Sequence, residues 1–179
     1  MKRMILASGS PRRKELLQML EVPFEVLVSD TKEVITKNEP AEVTKELSYQ
    51  KAMAVAEQVE EGIIIGADTV VSIDGKILGK PADTEEAREM IYKLQGKSHM
   101  VYTGVTVIAK SGDMVSASSF AEGTKVNVAP MTENEIEAYI STDEPYDKAG
   151  AYGIQGLFGK FIEGIKAVSY THLRAHETG

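Results

Sequence analysis

Ser8-Gly9-Ser10-Pro11-Arg12-Arg13 follows the short apolar stretch Met4-Ile-Leu-Ala7, an order of residue types that can hold a phosphate. Pro is favoured at the first helical position and Ser just before it, so a helix begins at Pro11 with Ser10 as its cap. The unpaired N–H groups of that first turn and the positive end of the helix dipole favour an anion there. Arg12 and Arg13 add charge, the hydroxyls of Ser8 and Ser10 can donate, and Gly9 permits close backbone approach. In isolation the same residues also describe an ordinary capped helix with two solvated arginines. A second feature is Asp68, which interrupts the apolar run Gly62-Ile-Ile-Ile-Gly-Ala-Asp-Thr-Val-Val71. A carboxylate inside such a run needs a partner, a metal ion or a proton-transfer role, or else it ends the strand and accepts hydrogen bonds from the next turn. Val70 and Val71 continue the run and favour the first group of readings.

Other residues could join this chemistry. Lys80 is kept extended by Pro81, Lys51 lies in a long helical segment, and Lys148 lies in a Gly-rich stretch. Asp30 and Glu33 can offer oxygen to a hard cation; magnesium usually takes one or two carboxylates with phosphate oxygens and water, so Glu33 and Asp68 around a triphosphate would suffice. The Gly-x-x-x-x-Gly-Lys-Ser/Thr loop and the Gly-x-Gly-x-x-Gly turn are both missing, which leaves a P-loop ATPase and a Rossmann dinucleotide site unsupported.

The elements that must position these residues alternate between strand-like and helix-like patterns, pointing to an α/β fold. Strands are expected at 4–7, 24–28 (with Phe24, Val26 and Val28 alternating), 62–71, 76–79, 101–109 and 115–128. Helices are expected at 11–20, with Leu16, Leu17 and Leu20 on one side, and at 41–60, with Val43, Leu47, Ala54 and Val55 inward and Lys45 outward. Two more follow: 84–94, capped by Thr84, and 132–140, opened by the capping box Thr132-Glu-Asn-Glu135. Asp74-Gly75 is a two-residue hairpin signal. Residues 142–159 carry four glycines among aromatic and charged residues, more like a functional loop than a linker.

Composition limits the partners. The chain has 179 residues, 42% hydrophobic and 26% charged, enough for one soluble domain folded in two lobes. A net charge of −7 without a broad basic stripe argues against nucleic acid as the main partner. No cysteine is present, so thiol chemistry, disulfides and cysteine zinc sites are excluded. The apolar runs fall far short of a membrane span, and a cytoplasmic protein is expected.

Taken in order, Ser8-Gly-Ser-Pro-Arg-Arg13, Ser29-Asp30 with Glu33, Lys51-Ala52, Gly66-Ala-Asp-Thr-Val-Val71, Gly79-Lys-Pro81, His99 through Thr103-Gly-Val105, and Asp147-Lys-Ala-Gly-Ala-Tyr-Gly-Ile-Gln-Gly156 resemble the Maf family nearly end to end. These proteins are nucleoside triphosphate pyrophosphatases, also described as septum formation inhibitors. The resemblance implies an elongated mixed sheet flanked by helices, with two lobes, a central cleft and kinship to inosine triphosphate pyrophosphatases. It implies a cytosolic homodimer that uses magnesium or manganese. Asp68 would be the proton acceptor or metal-linked base, with Glu33 beside it as a metal ligand. Lys80 and Arg13 would hold the triphosphate, and Ser8 and Lys51 would complete the site. Arg12, Thr69 and Gln155 match the subgroup acting on dTTP and UTP, and a Gln amide suits the O4 and N3–H edge of those bases. Water would attack the α-phosphorus and pyrophosphate would leave. Two other classes fit the same residues: a nucleotide-binding regulator of cell division without turnover, and a house-cleaning enzyme for modified nucleotides. The resemblance stops after Ile165, where the family's Gly-Asp-Tyr-Tyr type segment and final helix are expected. Residues 166–179 read instead as a non-native tail, and His172 and His176 are left out of the site.

Overall fold

In the computed structural model, which describes residues 2–168 and 174–178, the chain is a mixed α/β protein. Its strands and helices, in order, are β1 (Met4–Leu6), α1 (Pro11–Gln18), β2 (Glu25–Val26), α2 (Pro40–Ala56), β3 (Glu61–Ile73), β4 (Lys76–Leu78), α3 (Thr84–Leu94), β5 (Ser98–Ser111), β6 (Met114–Val128), α4 (Glu133–Ile140), β7 (Ile162–Val168) and β8 (Arg174–Thr178). The sheet order is β2-β1-β3-β5-β6-β7, with β4 pairing β3 and β8 pairing β6. β1 runs parallel to both β2 and β3, whereas β4 and β7 add antiparallel. The β3–β4 turn uses Asp74 and Gly75, both at positive φ (50° and 77°), as a two-residue hairpin whose twist matches its strands requires.

The chain divides into two compact units. Of the described residues, the first comprises 2–68, 103–121 and 174–178, and its core gathers Ile5, Ala52, Val55, Ile64 and Ile108. The second comprises residues 69–102 and 122–168, and packs α3 and α4 residues such as Ile91, Leu94 and Ile140 around Val71, Val126, Tyr152 and Phe158.

Within the first unit α2 lies very close to two strands. A Cβ on Gly66 of β3 would sit 2.6 Å from the Ser48 carbonyl oxygen, and one on Gly104 of β5 would sit 2.3 Å from the Thr44 carbonyl carbon. Buried hydroxyls fasten the same contact: Ser48 Oγ and Thr106 Oγ1 are 2.7 Å apart, and Thr106 Oγ1 and Ser119 Oγ another 2.7 Å. This close approach explains one departure from the sequence pattern. Lys45, expected outward, is buried with its Nζ 3.0 Å from Glu42, because a helix pressed onto strands buries more than a single stripe.

The other departures concern edges. Leu16 and Leu20 are exposed and Leu17 alone of the three is buried, since β2 is only two residues long and leaves α1 little sheet to cover. Val26 and Val28 are exposed for the same reason. Asp83, not Thr84, caps α3, accepting from the Glu86 N–H at 2.8 Å. The Thr132 capping box forms as expected. Helix α2 ends at Ala56, β5 and β6 are longer than expected, and β7 is an element that the sequence pattern does not announce. Residues 162–168 pair with β6, and the backbone of 174–178 does too. Residues 169–173 and 179, and with them much of the stretch read as a non-native tail, including His172, lie outside the described residues.

The Gly104 contact gives a direct test. Gly104→Ala should lower stability by about 1–3 kcal/mol in urea denaturation, because its methyl group would overlap the Thr44 backbone, which cannot swing aside as a side chain would.

Candidate active site

The first unit brings six of the expected residues together: Ser8, Ser10, Arg13, Glu33, Lys51 and Asp68. Ser10 takes the N-cap of α1 in an extended conformation, and its Oγ accepts the Arg13 N–H at 3.4 Å. Ser8 lies buried at the end of β1, where its Oγ accepts both the Ser10 N–H and an Arg13 guanidinium N–H at 3.2 Å. Arg13 is therefore folded back over the strand-to-helix junction, while Arg12, next to it, is exposed. Burial lowers the Arg13 pKa and the charge of Asp68 opposes that shift.

Asp68 sits in the interior of β3 and is buried. Lys51 on α2 donates to its Oδ1 at 2.5 Å and reaches Glu33 at 3.7 Å. Burial raises the Asp68 pKa above the ordinary aspartate value. Lys51, first by its hydrogen bond and then by its charge, works against the shift, Glu33 adds to it and Arg13 opposes it. The net direction is upward, so desolvation outweighs the favourable contacts.

Glu33 comes from the irregular stretch between β2 and α2, which α2 itself holds in place. Gln50 accepts the Val34 N–H at 3.0 Å and donates to the Val34 carbonyl at 2.7 Å, and Glu46 accepts the Thr36 N–H at 2.7 Å. The helix that presents Lys51 thus also sets the position of Glu33. Asp30 is exposed.

The remaining expected residues belong to the second unit. Thr69 follows Asp68 on β3 and is half-buried. Lys80 is exposed just after β4, and its charge helps to lower the Asp147 pKa, after the larger effect of the Lys148 hydrogen bond. Lys148 Nζ donates to Asp147 Oδ1 at 3.0 Å and approaches the Glu144 carbonyl at 3.4 Å. Gln155 is exposed in the Gly-rich stretch, whose fold uses three short 3-10 segments: Glu144–Asp147, Ala149–Ala151 and Leu157–Phe161. Gly150, at φ 72°, donates its N–H to the Gly79 carbonyl at 3.1 Å and packs so closely on Val71 that a Cβ would sit 2.8 Å away. Any side chain there would be strained as well as crowded.

Among the described residues there is no cluster of three or more His, Cys, Asp or Glu able to hold a metal ion. Glu33 and Asp68 are the carboxylates near one another, and the Lys51 ammonium stands between them. Two carboxylates of this kind suit a hard cation that brings phosphate oxygens and water with it, and they do not make a closed protein cage. No helix among the described residues is long and apolar enough to cross a membrane.

A capped helix N-terminus with a half-buried arginine, near a strand-borne carboxylate held by lysine, is the arrangement of a phosphate-handling protein. The chain matches the family of Maf-like proteins over residues 3–173 and belongs to it. It is 51% identical to the dTTP/UTP pyrophosphatase of Bacillus cytotoxicus over 172 residues, which are 96% of this chain and 88% of that protein. It is 47% identical over 172 residues, again 96% of this chain and 88% of the relative, to the dTTP/UTP pyrophosphatase of Bacillus cereus strain ATCC 14579. Among solved structures, the nucleoside-triphosphatase / dITP/XTP pyrophosphatase of Mycobacterium abscessus aligns at a TM-score of 0.46 and 13% identity, over 72% of this chain and 75% of that one, a distant likeness.

Sequence reasoning missed Glu144, Tyr139, Gln50 and Glu46, which hold loops and carry no motif of their own. The pairing of Lys51 with Asp68 can be tested without a substrate. An Asp68 carboxyl titration followed by NMR should lie above the ordinary aspartate range, and Lys51→Met should move it higher still. The sign for stability follows: the contribution from Asp68 is present below its unfolded pKa and is lost as pH rises through the raised folded value. Lys51→Met should make that loss larger.

Proposed function

We propose that this chain hydrolyses dTTP and UTP to the nucleoside monophosphate and pyrophosphate. The observation that carries the proposal is the buried Asp68, held ionisable by Lys51 in the same unit as the Ser8–Arg13 anion cradle. The names of the relatives at about half identity support the substrate class.

In this mechanism Asp68 orients a water molecule and accepts its proton as the water oxygen bonds to the α-phosphorus. The bond from that phosphorus to the bridging oxygen breaks, and pyrophosphate leaves with the electron pair. Arg13, the Ser8 hydroxyl and the Arg12 backbone N–H at the start of α1 stabilise the charge on phosphate oxygens, a preorganised effect that is strongest where water is excluded. Lys80 and Lys148 supply further positive charge for the polyphosphate. Lys51 tunes the carboxylate by keeping enough of it ionised to act as a base. A magnesium or manganese ion carried in by the triphosphate, with Glu33 and Asp68 as its protein ligands, would neutralise negative charge and polarise oxygen. Gln155, with Arg12 and Thr69, reads the base, the amide donating to O4 and accepting from N3–H. The same reading takes the protein to be a cytoplasmic homodimer acting on free nucleotides, without a nucleic-acid or membrane partner.

With UTP or dTTP and magnesium, phosphorus NMR should show the monophosphate and pyrophosphate appearing together. Orthophosphate with an accumulating diphosphate would refute attack at the α-phosphorus. Asp68→Asn should lose about 10² or more in turnover, the usual scale for general-base catalysis, while nucleotide binding persists. Near-normal turnover in that variant would make Asp68 a structural residue, and binding with no turnover in the wild-type protein would make the chain a nucleotide-responsive regulator.

A further inference from the structure

Gln155 lies on a turn that its own composition does little to fix. Glycines at 150, 153, 156 and 159 surround it, and such a segment has more backbone freedom to lose than any other. A side chain that discriminates one pyrimidine from another must be held within hydrogen-bond tolerance before the base arrives. Something outside the turn has to hold it.

Glu144 meets that need. Its Oε1 accepts the Leu157 N–H at 2.6 Å and its Oε2 accepts the Phe158 N–H at 3.2 Å. The Tyr139 hydroxyl lies 2.7 Å from the same Oε2 and 2.8 Å from the Ala151 carbonyl, so it links the carboxylate to the other side of the turn. A Cβ on Gly156 would fall 1.9 Å from Oε1, which shows that the carboxylate fills the space next to Gln155 that a side chain at 156 would take. The turn itself closes through the Gly156 N–H to the Gly153 carbonyl at 3.1 Å. On the side preceding Gln155, the Tyr152 hydroxyl meets His99 Nε2 in the core, where burial pushes the His99 pKa down to about 4 and keeps the ring neutral at pH 7. Tyr139, Tyr152, Phe158 and Phe161 pack as a connected aromatic group beneath.

We propose that Glu144 is a positioning residue for base selectivity: its carboxylate fixes the turn that presents Gln155. The proposal rests on the reading of Gln155 as the base-reading residue. A carboxylate suits the task because it has only acceptors and can serve several donors at once, and hydrogen bonds to a charged acceptor are about twice as strong as neutral ones. A Gln in its place would turn an NH₂ group toward one of the two backbone N–H groups and release that end of the turn.

The test compares kcat and KM for UTP and CTP in the wild-type protein, Glu144→Gln, Tyr139→Phe, Gln155→Ala and the Glu144→Gln/Gln155→Ala double variant, with amide exchange followed at Leu157 and Phe158. Glu144→Gln should lower the ratio of kcat/KM for UTP over CTP by about ten-fold, the loss falling on KM for UTP more than on kcat, and should speed exchange at both amides. Tyr139→Phe, which keeps the ring packing, should lower the ratio by about three-fold, as expected for one hydrogen bond. The double variant should be no less selective than Gln155→Ala alone, because both changes act through one side chain. Equal losses for UTP and CTP in Glu144→Gln, or additive losses of selectivity in the double variant, would overturn the proposal. A lowered ratio in Gln155→Ala but not in Glu144→Gln overturns the proposal alone; a wild-type ratio in Gln155→Ala overturns the reading of Gln155 and the proposal with it. If Glu144→Gln does not fold, Tyr139→Phe decides, and an unchanged ratio there counts against the proposal.

Discussion

The contact between Lys51 on α2 and Asp68 in β3 organises the first unit. A carboxylate inside a central strand is unfavourable unless a cation reaches it, and Lys51 reaches it at 2.5 Å only because the helix is pressed onto the strand. Gly66, two residues before Asp68, makes that approach possible: a Cβ there would meet the Ser48 carbonyl at 2.6 Å and Ala52 Cβ at 2.9 Å. The Gly-Ala-Asp order in the strand and the Lys-Ala order in the helix are thus two halves of one contact. The Ser48–Thr106–Ser119 hydroxyl chain holds the helix against β5 and β6, and each of these buried hydroxyls finds a partner within it.

That contact leaves Asp68 in a state suited to chemistry. If pairing had won outright, its pKa would fall and the carboxylate would be an inert half of an ion pair. Burial wins instead, and the group stays more basic than an ordinary aspartate while Lys51, Arg13 and Glu33 pull it in opposed directions. The same balance makes the site a net burden on stability at neutral pH, a common trade in proteins whose reactive groups are desolvated. Pinning Glu33 through Gln50 and Glu46 costs little by comparison, since those hydrogen bonds are made at the surface.

What could be read from the sequence was set by local rules. Ser10 before Pro11, the Thr132–Glu135 capping box, the Asp74-Gly75 hairpin and an acid within an apolar run each act over a few residues, and each appears in the structure as the pattern predicts. The misreadings needed knowledge of neighbours. Leu16 and Leu20 have helical spacing, but β2 is too short to cover them; Lys45 has a surface residue's chemistry, but close packing buries it. Glu144 was invisible because its partners are backbone N–H groups, which every sequence has, at positions more than ten residues away. The residues gathered around Asp68 are all legible through their motifs and the family resemblance; the role of α2 in holding three of them, through Lys51 itself, the Glu33 stretch and the Gly66 contact, is not.

The proposed chemistry turns on a water molecule, positioned by Asp68, that attacks the α-phosphorus. Hydrolysis of UTP in water enriched in oxygen-18, with the products analysed by mass spectrometry, follows that oxygen into its product. Attack at the α-phosphorus predicts one labelled oxygen in the nucleoside monophosphate and none in pyrophosphate. Label in pyrophosphate, with an unlabelled monophosphate, would place the attack on the β-phosphorus and contradict the mechanism.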